Sequence, residues 1–278
     1  MFSLQQVFSL ASDPKFYYNL RAFSMRGVRL NETADSGRPG QDLQTGSIMI
    51  RERYSAAGSG ETGVIIPAFQ AAAAVGNVLS KVLAYVPGRR VYVIYDGSTD
   101  GTADRANGFG VMLVRHDRNL GKGAALRTGF KRALEDPVEA VITLDGDGQH
   151  DPDLIPVLIQ AWRIQGVDLM LGTRNFKGAM SWDRVLSNTL SSLIVSCVSG
   201  RRIPDSQCGY RLVSRKIMES IPLTGRLYEM ETEIILKAVK AGYQIGSFPV
   251  TVKASEASSH IRRLRDIVRY LGVIGRNF

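Results

Sequence analysis

Short apolar runs alternate with helical patterns from residue 62 onward, and this alternation restricts the fold more than any other feature. Five runs have the length and composition of buried strands. They lie at 63–67, 91–95, 111–114, 141–144 and 168–171. Segments with helical character separate them, at 71–85, 121–134 and 152–165. Such alternation at short intervals predicts an α/β fold, a mostly parallel sheet flanked by helices.

Two carboxylates directly follow the fourth of these strands. Asp145 and Asp147 are separated by one glycine, and residues two apart on an extended chain share a face. Ligands bind at the carboxyl ends of strands in open α/β sheets. Adjacent carboxylates repel each other unless a cation lies between them, and oxygen ligands suit Mg²⁺ or Mn²⁺. We therefore predict a metal site at Asp145 and Asp147, with Gln149 as a further oxygen ligand.

The same segment has two other interpretations. An Asp-x-Asp-Gly sequence is also a common turn signal that needs no ligand. It resembles the beginning of a calcium-binding loop as well, but Pro156 stands where that loop has its glutamate. The rest of the chain is needed to choose between these interpretations.

Two further loops have the composition of a nucleotide-binding site. Asp96-Gly97-Ser98 follows the second strand, where Asp96 could bind a base or ribose, although capping of the next helix would explain it as well. Gly121-Lys122-Gly123 would let a backbone approach a phosphate, with Lys122 supplying charge. The glycine spacing matches neither the P-loop nor the dinucleotide-binding fingerprint.

Charge and cysteine content limit the class of protein. The 278 residues carry a formal net charge of +9, which favours phosphorylated substrates or an anionic membrane surface as partners. The basic residues form no aromatic-interleaved motif, so we expect no nucleic-acid partner. Cys197 and Cys208 lack metal-ligand spacing, and no apolar run is long enough to span a bilayer. We therefore expect a cytoplasmic protein with reduced cysteines.

Residues 1–61 differ in composition from the rest of the chain. They contain loop-like stretches rich in glycine, serine and proline. We predict a poorly ordered N-terminal extension over 1–61, one folded domain over 62–271 and a short tail over 272–278. The basic, serine-containing composition of residues 1–30 also fits a transit peptide.

Taken together and in this order, the loops resemble the successive motifs of family 2 glycosyltransferases, which have the GT-A fold and use nucleotide-sugar donors. The motifs are Pro67-Ala68-Phe69, Asp96-Gly97-Ser98-Thr99-Asp100-Gly101-Thr102, Asn119-Leu120-Gly121-Lys122-Gly123-Ala124 and Asp145-Gly146-Asp147-Gly148-Gln149-His150. Three later motifs are similar to the branch that contains dolichyl-phosphate mannose and glucose synthases and bacterial polyprenyl-phosphate glycosyltransferases. They are Gly172-Thr173-Arg174-Asn175-Phe176, Asp205-Ser206-Gln207-Cys208-Gly209-Tyr210-Arg211 and Tyr228-Glu229-Met230-Glu231-Thr232-Glu233-Ile234.

The resemblance implies an inverting, metal-dependent transfer of a sugar from a GDP- or UDP-sugar to a dolichyl or undecaprenyl phosphate. It implies donor contacts from Pro67, Phe69, Asp96, Gly97, Ser98, Lys122, Gly123, Asp145 and Gly146. It implies that Mg²⁺ or Mn²⁺ is held by Asp145, Asp147 and Gln149. The implied catalytic residues are Asp147, Arg174 and Asp205, and the implied acceptor-phosphate residues are Arg184, Asn188, Gln207, His260 and Arg262.

The sequence departs from the family pattern in two places. Ala71 stands where the family usually has the glutamate of Pro-x-Tyr-Asn-Glu, and Tyr95 replaces the first of two aspartates before Gly-Ser. The resemblance places the base and ribose of the donor at these positions. The choice between guanine and uracil therefore stays open.

Two other functions also stay open. A sugar hydroxyl of a cell-wall or surface polysaccharide would need a carboxylate base if it were the acceptor, and Asp205 is the first candidate. The charge and the altered nucleoside motifs are also consistent with a non-catalytic nucleotide-sugar binder, although retention of both Asp145 and Asp147 favours catalysis.

Two amphipathic segments are candidates for contact with a membrane-held acceptor. Trp182–Ser199 has an apolar face, for which we predict packing on the core together with acceptor contact. Ile261–Phe278 is basic, and such a segment either lies on an anionic membrane surface or packs on the core with its arginines in solvent. The predicted location is therefore cytoplasmic, with peripheral attachment to the cytoplasmic face of a membrane as one form of it.

Overall fold

A computed structural model of the chain describes residues 62–174 and 182–251, together with positions 272 and 275. It does not describe the side chains of residues 182–184. The predicted extension over 1–61 and the basic segment over 261–278, apart from those two positions, lie outside the described residues. So do three of the predicted acceptor-binding side chains, Arg184, His260 and Arg262.

Seven strands and seven α-helices alternate along the described part of the chain. The strands are β1 (Thr62–Ala68), β2 (Val91–Asp96), β3 (Met112–His116), β4 (Ala140–Thr143), β5 (Leu169–Arg174), β6 (Arg211–Ser214) and β7 (Ile245–Val250). The helices are α1 (Val75–Val82), α2 (Thr102–Asn107), α3 (Lys122–Leu134), α4 (Ile155–Gln165), α5 (Trp182–Ser199), α6 (Arg215–Ser220) and α7 (Glu229–Lys240). Short 3₁₀ turns at Gly88–Arg90 and Pro152–Leu154 lead into β2 and α4.

The strands form one sheet in the order β3-β2-β1-β4-β6-β5-β7. Neighbouring strands are parallel except for β6, which runs antiparallel to both β4 and β5. The predicted α/β fold with a mostly parallel sheet is confirmed. The chain proceeds from β1 outward to β3 and then returns to β4 on the other side of β1. Ligands bind beyond the carboxyl ends of the strands at such a reversal, and Asp145 and Asp147 follow β4 there.

Helices cover both faces of the sheet because successive strand residues point to opposite sides. On β1, Val64 and Ile66 pack in the core beneath α1 and α4, whereas Ile65 packs with α3 and α7 on the other face. These three side chains are fully buried. Burial on both faces explains why the strands read as continuous apolar runs in the sequence. It also holds the carboxyl ends of the strands rigidly in place.

Candidate active site

An ion-pair cluster of Lys122, Asp145 and Glu231 lies at the carboxyl end of β4. Lys122 Nζ is 2.8 Å from Asp145 Oδ1 and 2.7 Å from Glu231 Oε1. Burial opposes the charge of Asp145, but Lys122 and the nearby His150 outweigh it and hold the pKa of that carboxyl well below its usual range. Burial likewise opposes the charge of Lys122, and the two carboxylates outweigh it and raise the pKa of Lys122. The cluster therefore keeps the Lys122 ammonium and the Asp145 carboxylate charged at this edge of the sheet.

Gly209 makes room for this cluster. A Cβ atom at position 209 would lie 2.6 Å from Asp145 Oδ2 and 2.9 Å from Lys122 Nζ. Real Cβ atoms essentially never approach other heavy atoms as closely as the first of these distances. Any side chain at this position would therefore displace the ion pair between Lys122 and Asp145.

We expect Gly209→Ala to lower the sugar-transfer activity that the family resemblance implies by about 10²-fold, because displacement of site residues by about 1 Å has effects of that size. Steady-state kinetics with a nucleotide-sugar donor would measure the loss. Gly108→Ala is the matched control, since a Cβ at Gly108 meets nothing within 4 Å and its φ is −75°. Equal activity of the two variants would contradict the assigned role of Gly209.

Asp147 lies beside the cluster with its side chain exposed. Its carboxylate accepts hydrogen bonds from the backbone N–H of Gln149 at 3.0 Å and from Gln149 Nε2 at 2.7 Å. Desolvation and the negative charge of Asp145 raise the pKa of Asp147. Among the described residues, no group of three histidine, cysteine or acidic side chains is arranged to hold a metal ion. The donor set of two repelling carboxylates and an amide nevertheless fits a divalent cation that takes oxygen ligands.

Asp96 occupies a closed network within the protein. It is 2% exposed, and its oxygens accept the backbone N–H groups of Leu120 at 2.9 Å and Gly121 at 2.8 Å. His116 Nδ1 lies 2.7 Å from the same carboxylate, while His116 Nε2 lies 2.9 Å from the hydroxyl of Thr128 on α3. Asp96 therefore positions the loop that leads to Lys122. Its direct contact with a base or ribose stays a prediction. The alternative role as a helix cap is not seen.

The glycines of Gly121-Lys122-Gly123 allow the close approach of another protein segment. A Cβ at Gly123 would lie 2.6 Å from the carbonyl oxygen of Leu227 and 2.8 Å from that of Gly225. The backbone N–H of Ala124 donates to the carbonyl of Arg226 at 3.0 Å. Residues 225–227 therefore pack directly against Gly121 and Gly123. The approach of this backbone to a phosphate stays a prediction.

Arg174 and Asp205 form a two-bond ion pair at the end of β5. Arg174 Nε donates to Asp205 Oδ2 at 2.7 Å, and an Arg174 terminal nitrogen donates to Oδ1 at 2.9 Å. Asp205 is 1% exposed and also accepts the backbone N–H of Gln207 at 3.0 Å. Burial opposes the charge of Arg174, but Asp205 outweighs it and raises the pKa of the guanidinium. Asp205 thus orients Arg174. Its catalytic role, including that of a base for a hydroxyl acceptor, stays a prediction.

Comparison with known proteins identifies the family of this arrangement. The family model described as glycosyl transferase family 2 matches residues 63–221, from β1 to the residue after α6. That match covers more than half of the chain and includes Asp145, Asp147, Arg174 and Asp205.

The chain belongs to glycosyl transferase family 2.

Alignments of this glycosyltransferase with two curated relatives are longer than the segment that the family model matches. An uncharacterized protein of Methanocaldococcus jannaschii is 32% identical over 204 residues, which cover 71% of this chain and 84% of that protein. The polyprenol monophosphomannose synthase of Mycolicibacterium smegmatis is 26% identical over 234 residues, 77% of this chain and 88% of the relative. The predicted likeness to polyprenyl-phosphate sugar transferases is therefore confirmed.

A solved structure shows the same fold. Glucosyl-3-phosphoglycerate synthase from Mycobacterium tuberculosis, in complex with Mn²⁺, UDP and phosphoglyceric acid, superposes with a TM-score of 0.64. Sequence identity is 19%, and the alignment covers 82% of each chain. A likeness at this identity establishes the GT-A fold and leaves donor and acceptor to be argued from the site.

The other predicted donor residues of the glycosyltransferase surround the carboxyl ends of β1 and β2. Phe69 is 40% exposed just beyond β1, and Ser98 accepts the backbone N–H of Gln70 at 3.0 Å. Gly146 lies against β1, since a Cβ there would be 3.3 Å from the Pro67 carbonyl oxygen. Gly97 has a φ of +64° and a Cβ there would clash with the backbone at residue 118. The contact of these residues with a donor stays a prediction.

At both positions that depart from the family pattern, Ala71 and Tyr95, the residue contacts other parts of the protein. The backbone N–H of Ala71 donates to the Thr102 hydroxyl at 3.0 Å. The Tyr95 hydroxyl donates to the Ser98 carbonyl, and its ring lies 5.8 Å from the Arg115 guanidinium. Neutral groups therefore stand at both positions where the family usually has a carboxylate.

Two predicted acceptor residues, Asn188 and Gln207, lie on α5 or contact it. Asn188 on α5 is 8% exposed, so its side chain faces the protein. Gln207 donates through Nε2 to the Ser191 hydroxyl on α5 at 3.0 Å. Gln207 thus ties the loop of Asp205 to α5. A direct contact of either residue with the acceptor stays a prediction.

Sequence reasoning missed several residues that organise the site. Glu231 completes the ion-pair cluster, and Arg211 is 3% exposed and donates to the carbonyls of Ser206 and Cys208 at 2.8 and 2.7 Å. Glu233 accepts the backbone N–H groups of Thr224 and Gly225 and so holds the segment behind Gly123. In α7, glutamates lie on the helix face that is buried. This pattern could have indicated that they are paired, because a charge is rarely buried unless it has a partner.

Proposed function

We propose that this glycosyltransferase transfers a sugar, with inversion, from a nucleotide-sugar donor to a polyprenyl phosphate. The observation that carries the proposal is the pairing of both Asp205 oxygens with Arg174. A hydroxyl acceptor would need a carboxylate able to take its proton, whereas a phosphate is already an anion near neutral pH. Relatives named for polyprenyl or dolichyl phosphate acceptors support the same acceptor class.

The proposed reaction balances without a proton transfer. An oxygen of the acceptor phosphate forms a bond to the anomeric carbon of the sugar. The bond from that carbon to the donor's diphosphate oxygen breaks, and its electron pair leaves with the nucleoside diphosphate. Attack from the face opposite the leaving group inverts the anomeric centre. The protein's task is then to position two phosphorylated substrates and to compensate their charge.

Two fixed cations of the chain divide that task. Arg174, held by Asp205, supplies positive charge on the acceptor side, where a guanidinium suits a phosphate group. Lys122, held by Asp145 and Glu231, places an ammonium group on the donor side, where the proposed divalent cation would add the positive charge that the two carboxylates offset. Both are oriented by carboxylates before substrate arrives, so little reorganisation is needed during the reaction.

We assign the divalent cation, Mg²⁺ or Mn²⁺, to Asp147, Asp145 and Gln149. When bound, such a cation stabilises negative charge on a departing diphosphate. Desolvation, and then the negative charge of Asp145, raise the pKa of Asp147. The second of these effects supports the assignment, because a cation would relieve the repulsion. The neighbour from M. tuberculosis, crystallised with Mn²⁺ and UDP, supports a divalent cation as well.

We expect Asp205→Asn to lower transfer by less than the ~10²–10⁴-fold that removal of a general base produces. The amide retains one oxygen for Arg174, so the acceptor KM should rise more than kcat falls. The assay is transfer of radiolabelled sugar to polyprenyl phosphate in detergent, run beside soluble oligosaccharide acceptors. The full-length chain is used throughout.

Two outcomes would replace the proposal. Glycosylation of the oligosaccharides alone, together with an inactive Asp205→Asn variant, would make Asp205 the base of a saccharide transferase. Binding of nucleotide sugars without metal-dependent transfer or hydrolysis would make the chain a nucleotide-sugar binder. A thermal-shift screen of GDP- and UDP-sugars, with and without Mn²⁺, identifies the base of the donor.

A further inference from the structure

An apolar stripe runs along the outward face of α5. Leu186, Leu190, Leu193 and Cys197 recur at intervals of four, three and four residues, which places them on one side of a helix. Leu186 is 70% exposed and Leu190 is 55% exposed. Leu193 is half-buried, and Cys197 is exposed. These four residues are called the α5 stripe below.

The inward face of α5 is largely polar. Asn188 and Ser192 are 8% and 5% exposed, beside a fully buried Val195. The Ser192 hydroxyl accepts the backbone N–H of Ser206 at 2.9 Å, and the Ser196 hydroxyl accepts that of Ile203 at 2.9 Å. Hydrogen bonds therefore attach α5 to the domain while its leucines point away. The sequence-based prediction that the apolar face packs on the core is corrected for Leu186 and Leu190.

This orientation is the reverse of that of an ordinary surface helix, which turns its apolar side to the core. Exposed leucines in a row favour an apolar partner on that side. We propose that the α5 stripe docks on the surface of an anionic lipid bilayer. The helix would lie in the interface with its leucines among the acyl chains and its polar side toward the domain.

Charge near the stripe favours an anionic surface. Arg201 and Arg202 follow directly after α5 and are exposed. The whole chain carries a formal net charge of +9. Basic residues beside an inserted apolar face add electrostatic attraction to anionic lipids. Among the described residues, no helix has the length and apolar character to cross a membrane, so docking concerns the surface of the bilayer.

The α5 stripe is too small to be the interface with a second copy of the chain. The α5 stripe extends about 16 Å along the helix axis and is one side chain wide. Four side chains bury far less than the roughly 800 Å² per partner that a stable protein interface requires. A bilayer has no such minimum, because it adapts to a narrow apolar face.

The stripe is connected to the candidate active site. Ser191, on the neighbouring face of α5, accepts a hydrogen bond from Gln207, and Gln207 follows Asp205 by two residues. Docking of α5 would therefore bring the Arg174 pair to the surface that carries a lipid-linked acceptor. This last step rests on the proposed function, whereas bilayer binding itself does not.

The test compares two double variants of the full-length chain. Leu186→Ser with Leu190→Ser removes the most exposed part of the α5 stripe. Val157→Ser with Ile164→Ser is the matched control, because these α4 side chains are 43% and 58% exposed but lie outside the stripe. Binding is measured by co-sedimentation with vesicles of phosphatidylcholine containing phosphatidylglycerol. We expect the α5 variant to lose at least about 30-fold in vesicle affinity and the α4 variant to bind like wild type.

Activity measurements separate this inference from the proposed function. With a short-chain, water-soluble prenyl phosphate the α5 variant should retain wild-type turnover, and with long-chain polyprenyl phosphate in vesicles it should lose activity. If neither acceptor is used by the wild type while vesicle binding still depends on the stripe, the proposed function fails and the docking surface stands.

Three results would overturn the docking surface. The first is equal vesicle binding by wild type and the α5 variant, with equal melting temperatures. The second is a wild-type dimer in solution that becomes a monomer in the α5 variant, which would make the stripe a contact between copies. The third is loss of binding only when residues 261–278 are deleted, which would assign the membrane contact to that segment.

Discussion

Asp147→Asn is expected to lower sugar transfer by about 10³-fold, the equivalent of roughly 4 kcal/mol of transition-state stabilisation. The substitution removes a negative oxygen from the proposed cation site while leaving an amide oxygen that still accepts from Gln149. The departing diphosphate would then lack part of its charge compensation. Initial rates at saturating Mn²⁺ and donor measure the loss.

A second readout for Asp147→Asn is independent of catalysis. Mn²⁺ in the presence of nucleoside diphosphate should raise the melting temperature of the wild type and have little effect on the variant. Asp104→Asn is a suitable control, because Asp104 is an exposed carboxylate on α2. Wild-type activity with unchanged metal dependence in Asp147→Asn would remove the proposed cation site.

Lys122→Met is expected to lower the free energy of unfolding by about 3 kcal/mol. Removal of the ammonium leaves the carboxylates of Asp145 and Glu231 without their shared cation, and breaking a buried pair in this way typically costs about 3–5 kcal/mol. We take the lower end because the Lys122 and Asp145 side chains are 18% and 24% exposed. The melting temperature should fall by roughly 6–12 °C.

A double variant distinguishes charge imbalance from lost packing at Lys122. Adding Glu231→Gln to Lys122→Met removes one of the two uncompensated charges, so the melting temperature should partly recover. Lys131→Met, at an exposed position of the same helix, is the matched control and should melt like wild type. The role of the cluster would be contradicted if Lys122→Met melted at the same temperature as Lys131→Met. It would also be contradicted if the double variant melted at a lower temperature than Lys122→Met.

Local patterns in the sequence determined the fold class and the position of the site. The five predicted strands are all present, because the alternation of short apolar runs with helical spacing depends only on neighbouring residues. The run that ends at Leu144 made it possible to place Asp145 and Asp147 at the carboxyl end of a strand. Family resemblance named the fold, and the sheet order and the solved structure confirmed it.

Long-range contacts decided which residue each charged group faces. Lys122 pairs with Glu231 on α7. Arg174 pairs with Asp205, which lies beyond α5 in the sequence. No local pattern encodes such a pairing, because it depends on how distant elements pack. The sequence therefore showed that Asp205 belongs to a motif, and only the structure showed that its carboxylate orients Arg174.

The orientation of α5 shows most clearly that local sequence patterns do not encode contacts between distant segments. Spacing alone determined that Trp182–Ser199 is a helix with an apolar face, because helical periodicity is a property of the segment itself. Which way that face turns depends on the hydrogen bonds of Ser192 and Ser196 to a loop beyond the helix. The sequence by itself therefore determined five of the seven strands, the helices α1, α3, α4 and α5, and the place of Asp145 and Asp147 at a strand end, whereas β6, β7, α6 and α7 were not predicted. Only the tertiary structure decided the charge pairing and the outward apolar stripe, since both result from contacts between segments that no local pattern specifies.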